Sequence, residues 1–92
     1  MIASFADKET QKIFGGEVSK KLPRDIQPRA RESLALLNAI VKVPEDLWAF
    51  PSARIEAIGI GWSIRINNQW RITFLWNADL QQATEVRIVD YH

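Results

Sequence analysis

The fold of this chain is set by residues 61–76, which read Gly-Trp-Ser-Ile-Arg-Ile-Asn-Asn-Gln-Trp-Arg-Ile-Thr-Phe-Leu-Trp. Large apolar residues alternate with polar ones in both halves of this stretch, and a polar break at 67–69 separates the halves. A period of two with aromatic and β-branched side chains is typical of strands that bury one face. The stretch therefore predicts two half-buried strands joined by a short loop.

The same alternation predicts the length of the loop. A two-residue loop would mix the apolar and polar faces, whereas a three-residue loop at 67–69 pairs Ile66 with Trp70. The longer loop also places Arg65 opposite Arg71 on the other face. Because a slip of one residue would move every apolar side chain into water, the three-residue loop is favoured. Two like charges in opposite positions repel each other, so the arginines are either both solvated or share a bound anion.

Composition limits the classes of function. The chain has 92 residues, a formal net charge of +1, four tryptophans, one histidine and no cysteine. Its length predicts a single domain spanning residues 1–92, and its cysteine and histidine content predicts no disulfide, no thiolate metal site and no histidine-rich zinc site. We expect no metal and no cofactor. Without a signal-peptide pattern or an apolar run of membrane length, we expect a soluble cytoplasmic protein with no membrane contact. The weak net charge argues against non-specific duplex binding but permits a local basic face.

Two helices are expected before the hairpin. The first runs over Asp7–Phe14 and is closed by Gly15-Gly16, since glycine readily adopts the left-handed conformation found after helices. The second begins at about Arg24 or Pro28, because proline is tolerated only in the first turn, and it runs to Lys42 with apolar residues at helical spacing.

The connecting segments carry further expectations. Residues 2–5 could form a short first strand. The segment 44–53, irregular or a single turn, contains Leu47, Trp48 and Phe50, which are too apolar for a free loop, so it should pack on the domain. All four tryptophans are expected in the core, with Trp48 and Trp76 as alternative partner contacts.

Two more strands complete the predicted sheet. Residues 54–58 should pair with the hairpin through a turn at Gly59-Ile60, and residues 84–91 should pair with it through a loop centred on Leu80. The fold class is therefore α+β, with two N-terminal helices packed on one face of a small, mostly antiparallel β-sheet. An open sheet face of this kind is a common platform for single-stranded nucleic acid. The residues expected on or beside that face are Arg65, Arg71, Arg87, Tyr91, Glu56, Arg54 and His92.

The sequence resembles the HigB-like (plasmid host-killing) toxins, which belong to the RelE/ParE superfamily of type II toxin–antitoxin systems. Residues 62–72, together with the terminal Val-Asp-Tyr-His at 89–92, carry the resemblance, and residues 1–5 and 54–58 also fit. The resemblance implies a RelE-like fold and an endoribonuclease that cleaves mRNA in the ribosomal A site. It also implies a cognate helix-turn-helix, HigA-like antitoxin, through which alone the toxin would reach operator DNA.

RNA cleavage without a metal requires a base for the 2′-hydroxyl, stabilisation of the phosphate charge and an acid for the 5′-oxygen. The resemblance supports Arg71 as a phosphate ligand, Arg65 as a second one, and His92 as acid or base, since imidazole titrates near neutrality. Tyr91 would stack on a base or orient the phosphate. The remaining RNA-binding candidates are Arg87, Arg54, Asn67 and Glu56. The competing interpretations are solvated arginines, a frayed terminal histidine, a core tyrosine and a cross-strand salt bridge between Glu56 and Arg65.

One departure from the family pattern keeps an alternative open. The family has a segment of the form Lys-Gly-x-x-x-Gly-x where this chain has only Gly59-Ile60-Gly61, so the family lysine near the scissile phosphate has no counterpart. The alternative function is a catalytically weakened homologue that acts as a binding module in an antitoxin or repressor complex. A third hypothesis, a gyrase-directed toxin of the same superfold, is disfavoured by the Tyr-His terminus.

Overall fold

A four-stranded antiparallel sheet forms the second half of the chain in the computed structural model, which describes residues 1–90. Two α-helices precede the sheet, so the fold is a small α+β structure. The helices are α1 (Lys8–Phe14) and α2 (Gln27–Ala39), and the strands, in sequence and in sheet order, are β1 (Glu56–Ile58), β2 (Gly61–Arg65), β3 (Trp70–Asn77) and β4 (Gln82–Asp90). Within residues 1–90, no helix is both long and apolar enough to cross a bilayer.

The central hairpin has the register that its alternation predicts. The Cα of Arg65 lies opposite that of Arg71, so the three-residue loop is confirmed. The side-chain oxygen of Asn67 fixes this loop by accepting hydrogen bonds from the backbone N–H groups of Gln69 (2.8 Å) and Trp70 (2.7 Å). Asparagine commonly organises a turn in this way.

The β1–β2 pairing is also as predicted, with Glu56 opposite Ser63. The strand itself is shorter than expected, because it begins at Glu56 and not at Arg54. Arg54 adopts a left-handed conformation with φ of 42°, which a strand residue cannot keep. The left-handed arginine thus ends the preceding segment and delays the strand.

The last strand departs from its predicted register halfway along. Thr73 lies opposite Arg87 as expected, but a β-bulge between Thr73 and Leu75 then shifts the pairing, so that Leu75 lies opposite Thr84. Glu85, at the bulge, has a φ of 53°. The predicted pairing next to the loop was therefore wrong by one residue of register, because an inserted residue cannot be read from alternation alone.

The start of the chain corrects two further expectations. Residues 2–5 form no strand; they make only isolated parallel bridges from Ile2 to Ala83 and from Phe5 to Val86 on β4. The helices accordingly lie within the chain and not at its N-terminus, since these bridging residues come first. Asp7 caps α1 by accepting a hydrogen bond from the backbone N–H of Thr10 at 2.7 Å.

Helix α2 ends at Ala39, three residues before the predicted Lys42. The carboxylate of Asp46 accepts hydrogen bonds from the backbone N–H groups of Val41 and Lys42, both at 2.9 Å. These are donors that a longer helix would have used, and Ile40 is already extended with ψ of 156°. A carboxylate four to five residues downstream therefore stops the helix.

The segment after α2 contains two 3₁₀ turns, Glu45–Ala49 and Pro51–Ala53. Leu47 and Ala53 of this segment are buried in the core, so the segment packs on the domain as predicted, but only one of its three large apolar residues, Leu47, takes part. Trp48 is 64% exposed and Phe50 is 46% exposed. Trp48 is thus not a core residue, whereas the other three tryptophans are half-buried and pack against the core.

One hydrophobic cluster joins buried residues of both helices to buried residues of β2, β3 and β4. Its fully enclosed members include Ile13, Leu34, Leu37, Ile64, Ile72 and Val86. The buried hydroxyl of Thr10 accepts a hydrogen bond from the backbone N–H of Ile88 at 2.9 Å, which links α1 directly to β4. The core therefore spans the helical and the sheet parts of the described chain.

The Asp46 contacts make stability depend on pH. Hydrogen bonds from the backbone N–H groups of Lys42 and Val41 hold the pKa of this carboxyl below its usual value of 3.8. Because the folded-state pKa is the lower one, the contribution is complete above the usual value and is lost as the pH falls through the folded-state value. We expect the thermal midpoint to drop on acidification below pH ~4, where carboxylates protonate.

Asp46→Asn should flatten this dependence, because an amide oxygen accepts hydrogen bonds without titrating. Glu9, whose pKa is lowered chiefly by a hydrogen bond from Ser19, adds a similar dependence in both proteins, so the difference between them isolates Asp46. Circular dichroism melts from pH 7 to pH 2 measure this difference. Parallel pH curves for the two proteins would contradict the expectation.

Candidate functional site

The end of the central hairpin carries two opposed arginines. Residues opposite each other in an antiparallel pair have Cβ atoms about 5 Å apart and share one side of the sheet, and Arg65 and Arg71 are such a pair. Arg87 lies on the same side, because it is opposite Thr73, two positions along β3 from Arg71. The register thus brings three of the predicted cationic residues to neighbouring positions.

Arg65 is held against the hairpin loop by neutral acceptors. Its Nε donates to the backbone carbonyl of Asn67 at 3.2 Å, and its Nη2 donates to the side-chain oxygen of Asn68. Within residues 1–90, no carboxylate lies within salt-bridge distance of this guanidinium. The loop therefore orients the cation without neutralising it, which is what an anion site requires.

Arg71 is more enclosed than a typical strand arginine. The residue is half-buried, and its Nε and Nη1 atoms are shielded from solvent. Its backbone lies between β2 and β4, opposite both Arg65 and Val89. A central strand position of this kind restricts the side chain, so the charge of Arg71 stays at the centre of the arginine group, and guanidinium is the side-chain group that best matches phosphate.

Arg87 has a structural partner that sequence reasoning missed. Its Nε lies 4.0 Å from Oδ2 of Asp7, the residue whose other carboxylate oxygen caps α1. The side chain of Arg87 is nevertheless 55% exposed. The arginine thus links β4 to the start of α1, and its predicted RNA contact competes with this link.

The remaining candidates differ in what they can offer. The side-chain oxygen of Asn67 is used by the loop, so only its amide N–H₂ remains for a ligand. Glu56 is exposed and, within residues 1–90, forms no salt bridge with Arg65, so the predicted cross-strand ion pair is absent there. Arg54 is exposed beside the start of β1. The hairpin end therefore groups Arg65, Arg71 and Asn67, with Glu56 and Arg54 further along the sheet.

Strand β4 ends beside the arginine pair. Its last residue, Asp90, lies opposite Trp70, and its carboxylate accepts a hydrogen bond from Nε2 of Gln69 at 3.0 Å. Tyr91 and His92, the candidate catalytic residues that follow Asp90, lie outside the described residues.

A groove of about 680 Å³ beside Arg65 was not anticipated from the sequence. It lies between α2, the segment 50–53 and the hairpin; we call it the Arg65 groove. The lining residues that matter below are Asp25, Arg29, Glu32, Leu36, Phe50 and Arg65. The sequence signal nearest to it was the apolar content of the segment 44–53, which includes Phe50.

Within residues 1–90, no group of three or more histidine, aspartate or glutamate side chains could hold a metal ion. The described residues at the hairpin end offer guanidinium, carboxylate and amide groups. Comparison of the sequence with protein-family models and with curated proteins found no match to this chain.

Proposed function

We propose that this protein is the toxin of a type II toxin–antitoxin system and acts as a ribosome-dependent mRNA endoribonuclease. The observation that carries the proposal is the opposition of Arg65 and Arg71 at the hairpin end, next to the last residue of β4. The proposal includes a RelE-like arrangement in which the two helices pack on one face of the sheet, leaving the arginine side for RNA.

A scissile phosphate between the two arginines would convert their mutual repulsion into attraction. In the proposed reaction the 2′-oxygen attacks the phosphorus, a 2′,3′-cyclic phosphate forms and the bond to the 5′-oxygen breaks. Arg71 and Arg65 stabilise the negative charge that grows on the phosphate oxygens, which is often the largest single contribution to catalysis. Because these contacts strengthen as the charge on the phosphate develops, they stabilise the transition state more than the ground state.

Proton transfer is assigned to two further residues, and base stacking to a third. His92 supplies the proton to the departing 5′-oxygen, because imidazole titrates near neutral pH. Glu56, exposed on the neighbouring row of the sheet, accepts the proton of the 2′-hydroxyl. Tyr91 stacks on a base of the substrate, a contact that every nucleobase can make.

The partners follow from the same proposal. The mRNA is presented in the ribosomal A site, in the cytoplasm, and a HigA-like helix-turn-helix antitoxin neutralises the toxin. Operator DNA is contacted only through that antitoxin. A net charge of only +1 fits a protein whose RNA contact is local and whose positioning is supplied by the ribosome.

A binding module with weakened catalysis is the second candidate function. The β1–β2 connection is a tight turn in which Gly59 has φ of 51°, and Ile60 at its tip is 92% exposed. This tip carries no lysine and leaves an apolar side chain in solvent, which favours a protein contact over a phosphate contact. Trp48, 64% exposed, is another large apolar side chain in solvent.

Truncation of His92 tests the catalytic assignment. In a reconstituted translation reaction, wild-type protein should produce cuts in the translated mRNA that primer extension detects. Loss of a general acid should slow these cuts by a factor on the order of 10²–10⁴. Lys8→Ala, which removes an exposed charge on α1, is the control and should cut as the wild type does.

Three outcomes separate the hypotheses. Intact mRNA with folded wild-type protein would favour the binding module. DNA damage signalling without mRNA loss would favour a gyrase-directed toxin. Equal cleavage by wild type and truncation would remove His92 from the mechanism but keep the endoribonuclease.

A further inference from the structure

The Arg65 groove brings together the kinds of side chain with which proteins bind nucleobases. Its lining includes one aromatic ring, Phe50, which is 46% exposed, and two exposed carboxylates, Asp25 and Glu32. Arg29 joins its two walls, because its Nη2 lies 3.5 Å from the backbone carbonyl of Ser52 in the opposite segment. Aromatic stacking combined with polar groups at the base edge is the usual way in which proteins recognise unpaired bases.

The groove also has a suitable size and position. Small-ligand sites typically have volumes of about 300–1,000 Å³, and this open groove has a volume of about 680 Å³, which is in the range of a nucleotide site. Arg65 belongs both to the groove lining and to the arginine pair of the hairpin end. A phosphate held by Arg65 would therefore place the adjoining nucleoside at the mouth of the groove.

We infer that the Arg65 groove binds the base of the nucleotide next to the scissile phosphate, and that it prefers guanine. The inference rests on the proposed function for the identity of the substrate as RNA. It adds a base-specific subsite formed by α2 and residues 50–53, elements outside the hairpin.

The preference for guanine follows from the hydrogen-bond donors and acceptors on the edge of this base. Guanine presents two adjacent donors, N1–H and N2–H, which match the two oxygens of one carboxylate such as Glu32. It also presents O6 and N7 as acceptors for a guanidinium such as that of Arg29. Adenine and cytosine each present a single exocyclic amino group as a donor. Uracil presents one N–H between two carbonyls, and a carboxylate repels these carbonyl oxygens. Phe50 stacks on any base and so contributes affinity but little selectivity.

Binding of mononucleotides tests this inference without a ribosome. The ¹⁵N-labelled full-length protein is titrated separately with the 3′-monophosphates of guanosine, adenosine, cytidine and uridine, and with inorganic phosphate. We expect guanosine monophosphate to bind most tightly and to shift amide resonances at residues 29–36 and 50–53. Phosphate alone should shift the resonances of Arg65 and its neighbours in the hairpin loop but not those of residues 29–36.

Matched variants separate selectivity from affinity. Glu32→Gln should weaken guanosine monophosphate about tenfold, as expected for lost hydrogen bonds to a charged group, and should not weaken uridine monophosphate, because the repulsion between the carboxylate and the uracil carbonyls is lost. Phe50→Ala should weaken all four nucleotides by a factor of about 5 or more through lost stacking. Glu17→Gln, which alters an exposed carboxylate before α2, is the control and should change nothing.

Failure of this inference is distinguishable from failure of the proposed function. Equal binding of the four nucleotides, shifts outside the groove, or an unaffected Glu32→Gln variant would overturn the inference, even if the protein cleaves mRNA. If the groove instead holds an apolar side chain of a protein partner, the four nucleotides should bind equally weakly, and this result would also overturn the inference. A different result would reject the endoribonuclease and support the base subsite. In that case guanosine monophosphate binds most tightly in the groove, but the protein leaves translated mRNA intact.

Discussion

Arg71→Ala is expected to remove nearly all mRNA cleavage, with a rate loss on the order of 10²–10³ as for other single charge-stabilising donors. Arg71 is the central member of the cationic group, since its strand lies between those of Arg65 and Arg87. Its Nε and Nη1 atoms are shielded from solvent. A flexible side chain elsewhere on the surface should therefore not take over their position when Arg71 is removed. The measurement is the rate at which cut product accumulates on translated mRNA.

Two controls keep this result interpretable. Arg71→Lys retains the charge but loses the bidentate fork, so it should recover part of the activity and not all of it. Circular dichroism melts of each variant show whether loss of a half-buried side chain has unfolded the protein. Wild-type cleavage by a folded Arg71→Ala protein would remove the arginine pair from the mechanism.

Gly61→Ala is expected to destabilise the fold by about 1–3 kcal/mol or more, the range for overpacked positions. A Cβ at this position would lie 2.6 Å from the backbone oxygen of Phe74 and 3.1 Å from Cδ2 of Leu75. The nearer contact is with backbone, so relief requires that β2 and β3 separate at the start of their pairing. Chemical denaturation followed by tryptophan fluorescence measures the loss.

Gly15→Ala is the matched control for this change. The nearest atoms to a Cβ at Gly15 are backbone oxygens at 3.5 Å and 3.6 Å, which is ordinary contact, and its φ of −76° suits any residue. This variant should differ from wild type by a few tenths of a kcal/mol at most, as is usual for changes that break no specific feature. Equal stability of the two variants would contradict the tight packing of β2 against β3.

The arginine pair of the candidate site could be derived from spacing, but its surroundings could not. Alternation over 62–76 is a local pattern, and a slip of one residue would expose every apolar side chain, so the pairing of Arg65 with Arg71 followed directly. The link from Arg87 to Asp7 joins residues 80 positions apart in sequence. No short-range pattern could reveal such a contact, and the roles of Tyr91 and His92 stay predictions.

The sequence by itself determined the short-range features: the hairpin register, the tight β1–β2 turn and the capped first helix. Each depends on residues within a few positions of one another, where backbone geometry and side-chain alternation leave one favourable choice. The tertiary structure decided the bulge in β4, the exposure of Trp48 and Phe50, and the Arg65 groove. These features depend on which distant segments meet, and the free energy of such contacts comes from shared burial and long-range hydrogen bonds that no single segment encodes.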